Sequence, residues 1–268
     1  MGGVNLDIVA IANQLLLCEK TKQVIRPLTE TYPNLSGNDA YKIQLAQMHM
    51  KVNEGAEVKG LKIGLTSKEM QQMLNVYTPD YGIILNSMVY EESEDIAVSS
   101  FIQPKIEFEI AFVFKEGLSG TDISVDDVIA AVDYVVPAVE IIDSRIENWE
   151  IKFEDTVADN GSSAGIILGS KRTPLSEIED ITNIEMQVMK NDEFLVSAKS
   201  DAVLGNPLNA VVWLVNEISK YGVNIEPGMF VLSGSLSKAF LFEEGDQFTA
   251  DFGMLGTITT TFEKVGVK

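Results

Sequence analysis

The chain of 268 residues contains one cysteine, Cys18, and one histidine, His49. A lone cysteine excludes an intrachain disulfide, and a reducing compartment is expected. A lone histidine removes whole mechanisms. A Ser-His-Asp triad, a Cys-His dyad or a histidine-rich zinc site would each have to pass through His49. That residue lies between Met48 and Met50 in a helical pattern and reads as a partly exposed helix position. Positive charge is also scarce: 20 basic side chains stand against 40 acidic ones, for a net charge of -20. Such a surface repels phosphate backbones and anionic lipid, so neither nucleic acid nor membrane is an expected partner. No apolar run approaches the roughly 20 residues of a transmembrane helix. The segment Met1-Gly-Gly-Val-Asn-Leu-Asp7 lacks the basic start of a signal peptide, so a cytoplasmic location is expected. Chemistry in this chain must rest on carboxylates, lysines, hydroxyls, backbone amides or a metal.

Hydrophobic residues make up 46% of the chain, ample for a sizeable core. The first part reads as helical. One amphipathic helix is expected over residues 5–20 and a second over about 38–53, with Tyr41, Leu45, Met48 and Val52 as its apolar stripe. Thr66-Ser-Lys-Glu69 has capping-box spacing and predicts a short helix through Met70, Met73 and Leu74. From about residue 82 the pattern turns to strands: 82–85, 106–114, 134–142, 165–168, 229–232, 247–252 and 256–262. A helix is expected at 126–132 and another over 145–153. A hairpin is expected around Asn191-Asp192, and Asn206-Pro207 opens a helix that ends before Gly222. The fold class is therefore α+β, with a helical N-terminal region (1–58) and a strand-rich body (59–268).

Three carboxylates stand out in the apolar runs: Glu107 and Glu109 in Ile106-Glu-Phe-Glu-Ile110, and Glu140 in Pro137-Ala-Val-Glu-Ile-Ile142. On a strand, a spacing of two puts Glu107 and Glu109 on one face. The solvent face of an edge strand would carry the same alternation. Glu140, however, interrupts a run that reads as buried on both faces. Acidic groups there need compensation for desolvation, and a hard divalent cation is the simplest source. Lys62, between Leu61 and Ile63 and bracketed by Gly60 and Gly64, reads either as a solvent-facing strand lysine or as a lysine enclosed in a site. Pro79-Asp-Tyr-Gly82 and Asp159-Asn-Gly-Ser-Ser163 are turn-like by composition, and Ser233-Gly-Ser-Leu236 reads as a strand end.

Together these segments, with Gln103-Pro-Lys105, Asp155-Thr-Val-Ala-Asp-Asn160 and Leu204-Gly-Asn-Pro-Leu-Asn209, occur in an order that resembles the 2-keto-4-pentenoate hydratase group of the fumarylacetoacetate hydrolase superfamily. The resemblance covers residues from about 38 to 262. It implies a mixed β-roll body and a Mg²⁺ or Mn²⁺ ion held at Glu107, Glu109 and Glu140. It also implies substrate binding and proton transfer at Lys62 and Asp80, and pocket-lining roles for Ser162 and Ser235. Asn206 stands where many relatives have His, and Gly161 where many have Ala. The implied reaction adds water to a 2-hydroxy-2,4-dienoate in meta-cleavage aromatic catabolism. The small-molecule substrate would be a 2-oxo or 2-hydroxy acid.

A 4-oxalocrotonate decarboxylase of the same fold is the near alternative. Asp80 favours the hydratase, because the decarboxylase pattern has Ile there and lacks that carboxylate. An acylpyruvate C–C hydrolase would rely on a His or Glu base near the N-terminus, where only His49 is available without the surrounding motif. A non-catalytic scaffold is a further reading. The resemblance also implies a homo-oligomer and allows association with a pathway decarboxylase or aldolase. The distal end of the substrate is left open, with Arg145 as a residue that could touch it or be structural.

Overall fold

A computed structural model of the chain describes residues 6–73 and 75–263. Met1–Asn5 and Leu74, which the expected helices touched, lie outside the described residues, as do the side chains of Met70 and Met73. The first helix is Ile8–Thr21, capped by Asp7, whose carboxylate accepts from Ala10 N, and it buries Ile11, Ala12, Leu15 and Cys18. The helix Gly37–Asn53 is capped by Ser36. Its buried face is Ala40, Tyr41, Ile43, Gln44, Gln47 and Met48, so the expected stripe is rotated: Leu45 is half-buried and Val52 exposed. Two glutamines take those core positions because each has a carbonyl to reach. Gln44 Nε2 donates to Tyr81 O at 2.8 Å and Gln47 Nε2 to Ala158 O at 2.7 Å. His49 is exposed on the opposite side.

The body is α+β, built on two curled sheets. In the larger, the strands run in the order Asp80–Leu85, Val58–Gly64, Phe230–Leu232, Lys105–Phe114, Val132–Ile142, Ser163–Leu168 and Val89–Tyr90. The smaller holds Glu193–Lys199, Glu185–Lys190, Gln247–Asp251, Thr257–Phe262 and Asp95–Ile96. The hairpin expected at Asn191-Asp192 is present; both residues have positive φ, which suits a tight two-residue connection. The helix Pro207–Ile218 carries the Asn206 cap and Pro at its first turn and packs its apolar face into the core.

Two expectations need correction. No helix spans 145–153: Glu147–Trp149 is a 3₁₀ turn with Asn148 and Trp149 at positive φ, and the helix begins only at Phe153 and runs to Ala158. Asp155 starts it, accepting from Lys152 N while also bonding Thr29 N and Oγ1. Pro79-Asp-Tyr-Gly82 is not a turn either. Asp80 opens a strand buried along its whole length. A Pro-Asp-Tyr-Gly run resembles a turn in isolation, but pairing with Val58–Gly64 holds it extended.

Candidate active site

The strands Lys105–Phe114 and Val132–Ile142 pair antiparallel with Glu107 opposite Glu140 and Glu109 opposite Ala138. Direct opposition and the period of two place all three glutamates on one face. One ligand oxygen from each lies within 4.8 Å of the others. Glu109 and Glu140 are buried and Glu107 half-buried. Glu109 accepts from Gly234 N at 2.7 Å. Neither oxygen of Glu140 has a hydrogen-bond partner of ordinary geometry, although the Lys62 ammonium stands 3.5 Å from Oε2.

Burial, then Glu140, pushes the Glu107 carboxyl up to about 7. Burial raises Glu109 as well, with Glu140 and Glu107 adding to it. Glu140 is raised by burial against the opposing pull of Lys62. Three desolvated acids at this spacing, one with unpartnered oxygens, form a donor set that suits a hard divalent cation.

Lys62 and Asp80 come from the neighbouring antiparallel pair, in which Lys62 faces Gly82 and Gly64 faces Asp80. The two side chains therefore share a face as diagonal neighbours. Gly64 makes room for both: a Cβ there would lie 2.1 Å from Asp80 Oδ1 and 3.3 Å from Lys62 Nζ. Lys62 is only 4% exposed. Burial alone would lower its pKa, but Glu140, then Asp80, Glu107 and Glu109 outweigh that and raise it, so the ammonium form is held. Asp80 is raised by burial, partly offset by Lys62, and its Oδ1 lacks a partner of ordinary geometry.

Ser162 sits on the turn Asn160–Ser162, where all three residues have positive φ. The Asn160 side chain fixes that turn to the Asp80 strand, accepting from Ile83 N at 2.8 Å and donating to Ile83 O at 2.9 Å. Arg145 and Asp159 clamp the turn from behind in a buried ion pair; Arg145 N also donates to Asp159 Oδ2 at 2.9 Å. Arg145 is thus structural and is not on the cavity wall.

Lys62, Asp80, Glu107, Ser162 and Ser235 line one cavity of about 930 Å³. Glu109 and Glu140 are more deeply buried than Glu107. The sequence reading missed Thr156, whose Oγ1 lies 3.5 Å from Ser162 Oγ on the cavity wall. It also missed Lys105 on the cavity lining, although the same period-two argument that joins Glu107 to Glu109 extends to Lys105.

Comparison with known proteins gives a consistent pattern. The model for the fumarylacetoacetate hydrolase C-terminal family matches residues 48–263. A 2-keto-4-pentenoate hydratase of Paraburkholderia xenovorans is 40% identical over 253 residues, covering 94% of this chain and 93% of that protein. A 2-oxo-hept-4-ene-1,7-dioate hydratase of Escherichia coli is 37% identical over 258 residues, covering 94% and 96%. Among solved structures, 4-oxalocrotonate decarboxylase from Pseudomonas putida G7, complexed with magnesium and adipate, superposes with a TM-score of 0.93 at 33% identity, covering 97% of this chain and 100% of that one.

Proposed function

The chain belongs to the fumarylacetoacetate hydrolase family, and on that premise we propose that it is a divalent-metal-dependent hydro-lyase adding water to a 2-hydroxy-2,4-dienoate. The observation that carries this reading is the placement of Asp80 and Lys62 in one cavity beside the cluster of three glutamates. Glu107, Glu109 and Glu140 would hold the cation, Mg²⁺ or Mn²⁺, which when bound supplies Lewis-acid polarisation of the substrate's 2-oxo group.

The chain's own groups account for the proton movements. The dienol must first ketonise, losing its 2-hydroxyl proton to solvent and gaining one at C5; water must then add across C3–C4, placing its hydroxyl at C4 while C3 takes a proton from solvent equal to the one released. Asp80, raised by burial, can carry a proton to C5 and, once ionised, accept one from the attacking water. Lys62, held as ammonium, offers a fixed positive charge to the enolate oxygen or the substrate carboxylate. Ser162 and Ser235 offer hydroxyls to the bound acid; the Ser235 Oγ has no other hydrogen-bond partner. The product is a 4-hydroxy-2-oxo acid.

The structural likeness to 4-oxalocrotonate decarboxylase supports the second reading, a decarboxylase. One assay separates the two. Freshly generated 2-hydroxypenta-2,4-dienoate is mixed with the Mg²⁺-loaded chain and followed by ultraviolet absorbance and product mass. Loss of dienol absorbance with a gain of one water is expected. No loss, together with CO₂ release from 4-oxalocrotonate, would replace the hydratase with the decarboxylase. The reading extends to a cytoplasmic homo-oligomer. Among the described residues no helix is long and apolar enough to cross a membrane.

A further inference from the structure

The cavity has many lining residues besides Glu107 and Lys62. Its volume of about 930 Å³ is far more than a five-carbon dienoate fills. Its lining includes the apolar side chains of Leu65, Ile142, Trp149 and Ile151. Besides Lys62, the lining carries Lys68, Lys105 and Lys238, against the carboxylates Asp80, Glu107 and Asp201. In a chain with 40 acidic and 20 basic side chains, this reverses the overall balance. Among the described residues, none of these three lysines forms an ion pair.

Backbone geometry brings Lys105 and Lys238 to two sides of Glu107. Lys105 lies two residues before Glu107 on the same strand face. Its ammonium sits 4.0 Å above the Trp149 ring, and Trp149 is itself fixed by an Nε1–H bond to Gln103 O at 3.0 Å. Lys238 arrives on the adjoining segment. Leu236 N donates to Phe108 O at 3.0 Å, and Phe240 and Leu241 pair with Ile106 and Lys105, so residues 237–239 pass alongside Glu107. Lys105 is half-buried with Glu107 as its acidic neighbour, whose charge a bound cation would claim, and Lys238 is exposed, so both ammonium groups can reach an anionic ligand end. Arg145, the other candidate for the substrate's far end, is occupied by Asp159.

We propose that the substrate is a dianion: a 2-hydroxy-2,4-dienoate whose chain follows the apolar lining residues and ends in a second carboxylate held by Lys105 and Lys238. The assignment rests on the hydratase reading for the reaction but is tested through binding. The probes are 2-oxoadipate and 2-oxohexanoate, equal in chain length and differing only in the distal carboxylate, titrated calorimetrically into the Mg²⁺-loaded chain. The wild-type protein should hold 2-oxoadipate about 10-fold or more tightly. Lys105→Met and Lys238→Met should each pull that ratio toward one, and raised salt should shrink it. Equal affinities in the wild-type protein would overturn the proposal. So would variants that weaken both ligands alike with the ratio intact, since the lysines would then serve the shared end. Turnover of 2-hydroxypenta-2,4-dienoate, measured separately, decides the hydratase reading, so either can fail without the other.

Discussion

Glu107 and Glu140 are directly opposed residues of two antiparallel strands, and their ligand oxygens lie with one from Glu109 inside a 4.8 Å cluster. Three acids at that range repel one another, and burial strengthens the repulsion. Lys62 supplies one compensating charge at 3.5 Å from Glu140. The divalent cation proposed for this site would supply the rest. Glu107→Gln should therefore weaken Mg²⁺ binding and turnover together, because an amide is a poor ligand for a hard cation. Loss of an outer partner of a metal site typically costs about 10–100-fold, so a direct ligand should cost at least about 10-fold. Calorimetric titration checks it; wild-type affinity, or full turnover in excess chelator, would remove the assignment.

The same cluster sets a pH dependence for the metal-free protein. Glu107 moves from its ordinary 4.5 up to about 7 in the fold, so the folded state binds the extra proton. The stability this contributes is complete below the unfolded pKa and is lost as pH rises through the folded one. Thermal midpoints in chelator should fall between about pH 4.5 and 7, and saturating Mg²⁺ should flatten the decline. A chelated protein whose midpoint rises over that range would contradict the burial of these acids without compensation.

Asp80→Asn keeps the size of the side chain and removes its proton chemistry. Turnover should fall about 10²–10⁴-fold, the usual range for a general acid–base group. Steady-state kinetics on the dienoate reads this directly, and wild-type kcat would exclude Asp80 as the shuttle.

Asp159→Ala tests the clamp behind the site. It would leave the Arg145 guanidinium buried without its anion; both residues are nearly inaccessible, at 6% and 0% exposure. Breaking such a pair costs about 3–5 kcal/mol. Urea unfolding should show the loss, whereas a change under about 1 kcal/mol would mean that the pair behaves like a surface bridge.

Much of this protein was legible along the chain because the signals are local. The Asn206 cap, the Asn191-Asp192 turn and the period-two glutamates need only a few neighbouring residues to be read. Where local composition competed with distant pairing, it misled. Pro79-Asp-Tyr-Gly82 has turn composition but is held as a strand by Val58–Gly64, and Gln44 and Gln47 look like surface residues until Tyr81 and Ala158 offer them carbonyls. Arg145 gave no local sign that Asp159 would claim it.

The sequence by itself determined the chemistry available: acids in apolar strands, an isolated lysine, and a single cysteine and a single histidine. Only the tertiary structure decided which of these groups meet. Strand register across the large sheet sets Glu140 against Glu107 and turns Lys62 and Asp80 to one face. Register is a property of paired chains, fixed by long-range packing and hydrogen bonding, and a one-residue slip would send each of these side chains to the opposite face.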